Sequence, residues 1–389
     1  MSRHTIPNLT DGHGASARFS SSSTNIVKNT RELRVYNKMR IIDLLRSREM
    51  LSKAEISKAL DLSFATVSNL CNELMEEGIF KSAQRSAQSG GRPSELLSLN
   101  VTARTSFCID FTYKTEVRLL LIDLHNNPIA EKFVSYSSDS STPELVSYCV
   151  QGFHELLTEA GLNQEQFLGA TVVIPGLYDE ETGGVVNSTL PILDNYNLAL
   201  VMSKMLELPV QMENDANLAA LAVSMQGESQ RYDNALFIYI GEGLGLGILS
   251  HSGVIFRGAR GFAGEIAHIP LGHSNFACYC GNAGCIEGIL SNSGIEHELL
   301  AQGNPAEFVG KLLGKLTSIL VNMMDPQAVF IGGDKEEFLS QALPYAQQEA
   351  AQRILLQRYR DVPIILSLDV HNLFYQGASE LLIRQWLLK

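Results

Sequence analysis

Apolar positions repeat at helical spacing over the first eighty residues, then give way to short β-branched runs alternating with amphipathic stretches. Val35, Met39, Ile42 and Leu45 recur at intervals of three and four, which predicts a helix from Arg31 onward. Two more helical segments follow, over 51–60 and 63–77, on either side of the short Asp61-Leu62 turn. Ser52 can cap the first, with Glu55 three residues later completing a capping box, and Ser63 can cap the second. Two short helices joined by a tight turn are the geometry of a helix-turn-helix. Gly78 ends the third helix; Ile79-Phe80 and the run 96–99 read as short strands flanking a polar loop, 86–93, that contains Gly90-Gly91-Arg92-Pro93 and would form a wing.

Beyond Asn100 the pattern becomes that of an α/β fold, with two lobes expected. Strands are predicted at 105–110, 117–123, 170–174, 235–240 and 328–331, and helices at 143–160, 216–225, 305–324 and 335–355. The last two strands each enter a glycine-rich turn. The expected organisation is an arm over 1–30, which lacks any periodic pattern, a winged helix-turn-helix over 31–100, and a large domain over 101–389.

Charge sharpens this division. The formal net charge is −12, yet residues 1–100 hold 14 lysines and arginines against 10 carboxylates, leaving 16 against 32 in the remainder. A mildly basic head on an acidic body suits a chain whose head alone meets phosphates, because cationic side chains there release condensed counterions. With 45% apolar and 19% charged residues, no apolar run long enough to cross a bilayer and no apolar signal core in the Ser-rich first thirty residues, a cytoplasmic globular protein without membrane insertion is expected.

In a helix-turn-helix the second helix enters the major groove, so its early exposed positions should carry short polar side chains. Ser63, Thr66, Ser68 and Asn69 are the candidates for groove contacts, with Val67 and Leu70 facing inward, and Arg92 at the wing tip is a candidate minor-groove or phosphate contact. Of the six cysteines, Cys278, Cys280 and Cys285 fall within eight residues on a glycine-rich loop. Without a secretion signal, such a cluster reads as a metal site, and three thiolates leave one tetrahedral position to fill. His268 and His273 are near enough in sequence, and His268 is preferred. One structural Zn(2+) per chain is the expected cofactor, because a closed ligand set keeps no position open for water.

The composite from about residue 31 onward resembles the ROK family of bacterial repressors and sugar kinases. Its most specific parts are Gly264-Glu265-Ile266-Ala267-His268, similar to the family's Glu-x-Gly-His motif, and the run from Cys278 to Glu287, which matches Cys-x-Cys-Gly-x-x-Gly-Cys-x-Glu throughout. The resemblance implies a two-lobed, actin-like ATPase (ribonuclease H-like) fold with a sugar bound between lobes. It implies that Asn214, Asp215, Glu265, His268 and Glu287 meet the sugar hydroxyls, with Pro175, Gly176 and Thr189 lining the same cleft. It also implies that His268 holds zinc with one ring nitrogen and faces the sugar with the other, and that Asp215 matches the general base of the kinases. From local sequence alone, Asp215 reads as the N-cap of the helix at 216–225.

The phosphate-binding segments depart from the kinase pattern. Family kinases carry an Asp-x-Gly-Gly-Thr type turn after the first strand, where this chain has Asp110-Phe111-Thr112-Tyr113-Lys114. In the second glycine-rich loop, Gly241 to Gly247, Glu242 stands where threonine is usual and would repel a triphosphate. Gly332-Gly333 reads as a simple strand-to-helix turn, and Ala267 replaces a motif glycine in the sugar cleft. The expected function is a DNA-binding regulator, a repressor of carbohydrate-utilisation genes, that senses a sugar or sugar derivative without ATP turnover. Its partners would be operator DNA, the sugar and a second copy, as a homodimer or dimer of dimers. The alternatives are a bifunctional sugar kinase with Asp215 as base, or a repressor controlled by a sugar-transport protein.

Overall fold

The computed structural model describes residues 30–388 apart from 85–94, 138, 180–181, 226–231, 251–252, 272–277, 279, 301–302 and 358–359. Residues 1–29 of the arm, the tip of the wing with Arg92, and His273 therefore lie outside the described residues, while Thr30 already begins the first helix.

The head comprises α1 (Thr30–Ser47), β1 (Leu51–Ser52), α2 (Lys53–Leu60), α3 (Phe64–Glu76), β2 (Phe80–Gln84) and β3 (Glu95–Leu99), its strands ordered β1-β3-β2. The helix expected to begin at Leu51 starts instead at Lys53. Leu51 is buried and pairs with Leu97 in β3, and Ser52, the N-cap, is held in an extended conformation. Its side chain accepts from Glu55 N–H while Glu55 reaches back to the Ser52 backbone, the capping box read from sequence. Asp61, in the left-handed region at φ 51°, turns the chain into α3.

The first lobe of the body holds β4 (Thr105–Asp110), β5 (Glu116–Ile122), β6 (Pro128–Ser135), α4 (Thr142–Ala160), β7 (Phe167–Ile174), β8 (Gly176–Tyr178), β9 (Val185–Ser188), α5 (Leu198–Leu206), β10 (Val210–Asn214) and α6 (Asp215–Val223). The second holds β11 (Ala235–Ile240), β12 (Leu244–Ser250), β13 (Val254–Ile255), α7 (Glu287–Leu290), α8 (Asn292–Leu300), α9 (Pro305–Met324), β14 (Ala328–Gly333), α10 (Glu336–Arg353) and β15 (Ile364–Leu366), after which α11 (Val370–Leu387) returns to pack on β4 and β7. The two large sheets are built alike. One runs β10-β7-β4-β5-β6 and the other β15-β14-β11-β12-β13, each with an antiparallel meander on one side of its first strand and parallel strands on the other. This duplicated order is the two-lobed actin-like, ribonuclease H-like architecture.

Between the sheets lie α6 and α11, sharing a core with Cys108, Leu120 and Val173 of the first lobe and Phe237 and Phe330 of the second. Close approach here demands glycine at two positions. A Cβ at Gly247 would meet the Ala216 carbonyl oxygen at 2.0 Å, and one at Gly377 would meet that of Leu218 at 2.1 Å. The glycines at 245 and 247 accordingly belong to a strand that α6 crosses, and only Gly241 to Gly243 form the turn; Gly332-Gly333 likewise finish β14. The far end of α11 leaves the body: Ile383 and Leu387 are buried in the head's core beside Ile41, Ile42 and Leu45.

Candidate functional site

β8, β10, α6 and the β11–β12 turn converge on a cavity of about 110 Å³ between the lobes. Pro175, Gly176, Thr189, Asn214, Asp215, Glu265 and Glu287 all line it, as does the buried Ala267. Asn214, not Asp215, caps α6: its side-chain oxygen accepts from Asn217 N–H at 3.2 Å, and its amide donates to the Gly176 carbonyl at 3.1 Å. Asp215 is the first helical residue, so its carboxylate is released from capping and faces the cavity. Burial pushes Asp215 up to about 7, Asp110 and Asp334 add repulsion, and the Ala216 N–H, bonded at 2.7 Å, opposes the shift. Lost solvent also raises the Glu265 and Glu287 carboxyls, with repulsion from Glu287 adding at Glu265.

Behind these groups sits a residue that pattern reading passed over. Glu213 is fully buried at the end of β10; it accepts from Asn214 N–H at 3.0 Å and from the Asn217 amide at 2.8 Å, and forms an ion pair with Arg257. Arg257 follows β13 and begins the segment that carries Glu265. The pair thus ties the Asn214-Asp215 corner of one lobe to the Glu265 segment of the other. The available signal was a carboxylate inside the strand Val-Gln-Met-Glu-Asn, where burial requires a cationic or hydrogen-bonding partner.

On the other side of the cavity the two hairpins that cradle phosphate in kinases meet each other. Lys114 of the β4–β5 turn pairs with Glu242 of the β11–β12 turn at 2.9 Å. The Tyr113 ring stacks on His371 of α11 with centroids 4.7 Å apart. His371 faces Asp334 at 3.4 Å, and Asp334 accepts from Tyr239 OH at 3.1 Å and from the Asn292 amide at 2.6 Å. Against the cost of burial, the bonds from His371 and Asn292 hold the Asp334 carboxyl below its usual range. Side chains with partners of their own thus stand where the kinase pattern has glycines and a threonine.

His268 joins Cys278, Cys280 and Cys285 in one cluster, all four donor atoms lying within 4.8 Å of one another. Cys278 Sγ is 3.5 Å from His268 Nδ1, and the Cys280 and Cys285 sulfurs are 3.6 Å apart. A tetrahedral ion with bonds near 2.3 Å has edges of roughly 3.7 Å, so the spacing suits a metal. His268 stands at this cluster, while Glu265 and Ala267 beside it in sequence line the cavity.

On the head, Val67 and Leu70 are buried, Asn69 is exposed, and Thr66 and Ser68 are half-buried. Ser63 caps α3, accepting from Thr66 N–H at 3.1 Å, with the two hydroxyls 2.8 Å apart. Phe64, exposed at the start of α3, is a further side chain on this surface.

Known proteins sharing this architecture fall into two groups. The xylose repressor of Caldicellulosiruptor bescii is 26% identical over 86% of this chain and 92% of its own length. The DNA-binding transcriptional dual regulator NagC of Escherichia coli is 25% identical over 82% and 85%. Among solved structures, a ROK family transcriptional regulator homologous to E. coli Mlc superposes over 92% of this chain and 98% of its own, with TM-score 0.72 and 21% identity. A ROK hexokinase from Thermus thermophilus covers 71% of this chain and 98% of its own, with TM-score 0.58 and 21% identity. The family model for ROK matches residues 107–384, most of the two-lobed body, and the chain therefore belongs to the ROK family.

Proposed function

We propose that this protein is a DNA-binding transcriptional repressor of carbohydrate-utilisation genes, with a reading head over 31–100 and a sugar-sensing body over 101–389 that does not turn over ATP. The carrying observation is the contrast between the two halves of the cleft. On one side Asn214, Asp215, Glu265 and Glu287 offer hydrogen-bonding groups to the cavity; on the other Glu242 pairs with Lys114 and Tyr113 stacks on His371. Carboxylates and an amide suit vicinal hydroxyls, giving orientation as well as affinity. The likeness in sequence to a xylose repressor and to NagC over most of the chain supports the same reading.

Ser63, Thr66, Ser68, Asn69 and Arg92 are the proposed DNA contacts, and Gly176, Thr189, Asn214, Asp215, Glu265, His268 and Glu287 the proposed sugar contacts. Zn(2+) is the proposed occupant of His268, Cys278, Cys280 and Cys285, where it would crosslink the loop leading to Glu287 and the segment bearing Glu265. A second copy would supply the second head, since helix-turn-helix proteins read half-sites about one helical turn apart or a multiple of it.

One observation favours a kinase instead: a carboxyl at about 7 is well poised to take a proton from a sugar hydroxyl. Coupled assays of ADP release across a panel of sugars separate the two readings. No turnover is expected; sugar-dependent ADP release that is lost in Asp215→Asn would establish the kinase.

A further inference from the structure

The charge of the cleft says which sugars it takes. Five carboxylates line the cavity, Asp215, Glu242, Glu265, Glu287 and Asp334, and among the described residues no lysine or arginine does. The nearest cations already have anionic partners. Lys114 faces Glu242, His371 faces Asp334, and Arg257 faces Glu213.

Three backbone donors of the two turns are engaged within the protein. Phe111 N–H donates to the Val173 carbonyl at 3.0 Å, Thr112 N–H to Asp110 Oδ1 at 2.9 Å, and Gly241 N–H to the Gly243 carbonyl at 2.9 Å. At the N-terminus of α6, the Ala216 and Asn217 amides are taken by the Asp215 and Asn214 side chains. A phosphate ester carries close to two negative charges and needs cations or free N–H groups.

From this we infer that the effector is an uncharged sugar with free hydroxyls, and that the cleft rejects the corresponding sugar phosphates and sugar acids. The inference rests on the reading of the cleft as a sugar site. It narrows that reading, because a repressor of sugar-utilisation genes could respond either to the sugar as imported or to its phosphorylated product. The chemistry here selects the sugar before phosphorylation.

The test is equilibrium dialysis of the full zinc-loaded chain against D-xylose, D-glucose and N-acetyl-D-glucosamine, and against glucose 6-phosphate, N-acetylglucosamine 6-phosphate and glucuronate. At least one neutral sugar is expected to bind, with its charged counterpart at least about 100-fold weaker, as expected for a dianion set among close carboxylates. Glu242→Gln releases Lys114 and removes one cleft charge, so it is expected to narrow that gap by roughly tenfold or more. A phosphate that binds as tightly as its parent sugar, or a gap that Glu242→Gln leaves untouched, overturns the inference while the sugar cleft stands. If neither class binds, the cleft is not a sugar site and the inference falls with that reading.

Discussion

Asp215 illustrates how a single carboxylate can serve either local structure or the site. Read locally it is a helix cap, but Asn214 one position earlier takes the cap and leaves Asp215 buried, close to Asp110 and Asp334. Its folded value of about 7 stands above the unfolded value near 3.8, so the folded state favours the protonated form. That contribution is fully present below about 4 and is lost as pH rises through 7, above which ionised Asp215 penalises the fold. Asp215→Asn is therefore expected to raise the melting temperature of the sugar-free protein at pH 8 by the equivalent of a few kcal/mol, and by much less at pH 5. Equal shifts at both pH values would show that Asp215 is ionised throughout. Glu213, also buried, is paired with Arg257. Arg257→Ala should cost about 3 kcal/mol in denaturant unfolding, and adding Glu213→Gln should recover part of it, because the orphaned charge disappears. The motif residues of the cleft were legible in sequence, but the Glu213–Arg257 pair was not, since its partners are 44 positions apart and belong to different lobes.

Elements were legible where apolar residues run unbroken, as in β4, or gather on one face, as in α9. The strand at 105–110 and the helix at 305–324 match their predicted bounds, and α2 and α3 carry the expected serine caps. α11 gave no such signal: Val370, Phe374, Gly377, Ala378 and Ile383 are buried in different directions, between two sheets and against the head, so no single stripe repeats. β12 was hidden for another reason. Its glycines at 245 and 247 suggested a loop, when they serve the close passage of α6. The metal loop belongs at this scale too, because short segments with little core of their own depend on a crosslink. Cys278→Ser is expected to lose stoichiometric zinc, read by atomic absorption, and to weaken sugar binding about tenfold or more by loosening Glu265 and Glu287. Sugar affinity unchanged in the zinc-free variant would separate the metal from the cleft.

In the whole molecule, α11 joins the cleft to the DNA-reading head. His371 stands in its first turn at the junction of the phosphate hairpins, and Glu380, about 14 Å further along at 1.5 Å per residue, is fully buried at the joint with α1. There Arg46 of α1 pairs with Glu380 at 3.0 Å and donates to the Leu124 carbonyl at 2.6 Å, while Arg384 holds the other carboxylate oxygen at 3.0 Å. A change in lobe angle that shifts α11 must therefore shift α1, and a sugar controls the head only through such a difference between states. Arg46→Met with Glu380→Gln removes the charged joint; Arg384 keeps its bond to the Gly253 carbonyl, and Asp43 loses its ion pair with Arg46. It is expected to preserve both sugar binding and DNA binding while reducing the effect of one on the other by at least about fivefold. Undiminished coupling would move the route elsewhere.

The most direct measurement of the central claim is fluorescence anisotropy of the full chain on DNA selected from a random-sequence pool, titrated with the neutral sugar that dialysis identifies and, separately, with ATP. Sugar should weaken DNA binding at least about tenfold, and by linkage DNA should weaken sugar binding equally, with ATP having no effect. DNA affinity indifferent to the sugar, or responsive to ATP, would contradict a sugar-controlled repressor built on a retired kinase cleft.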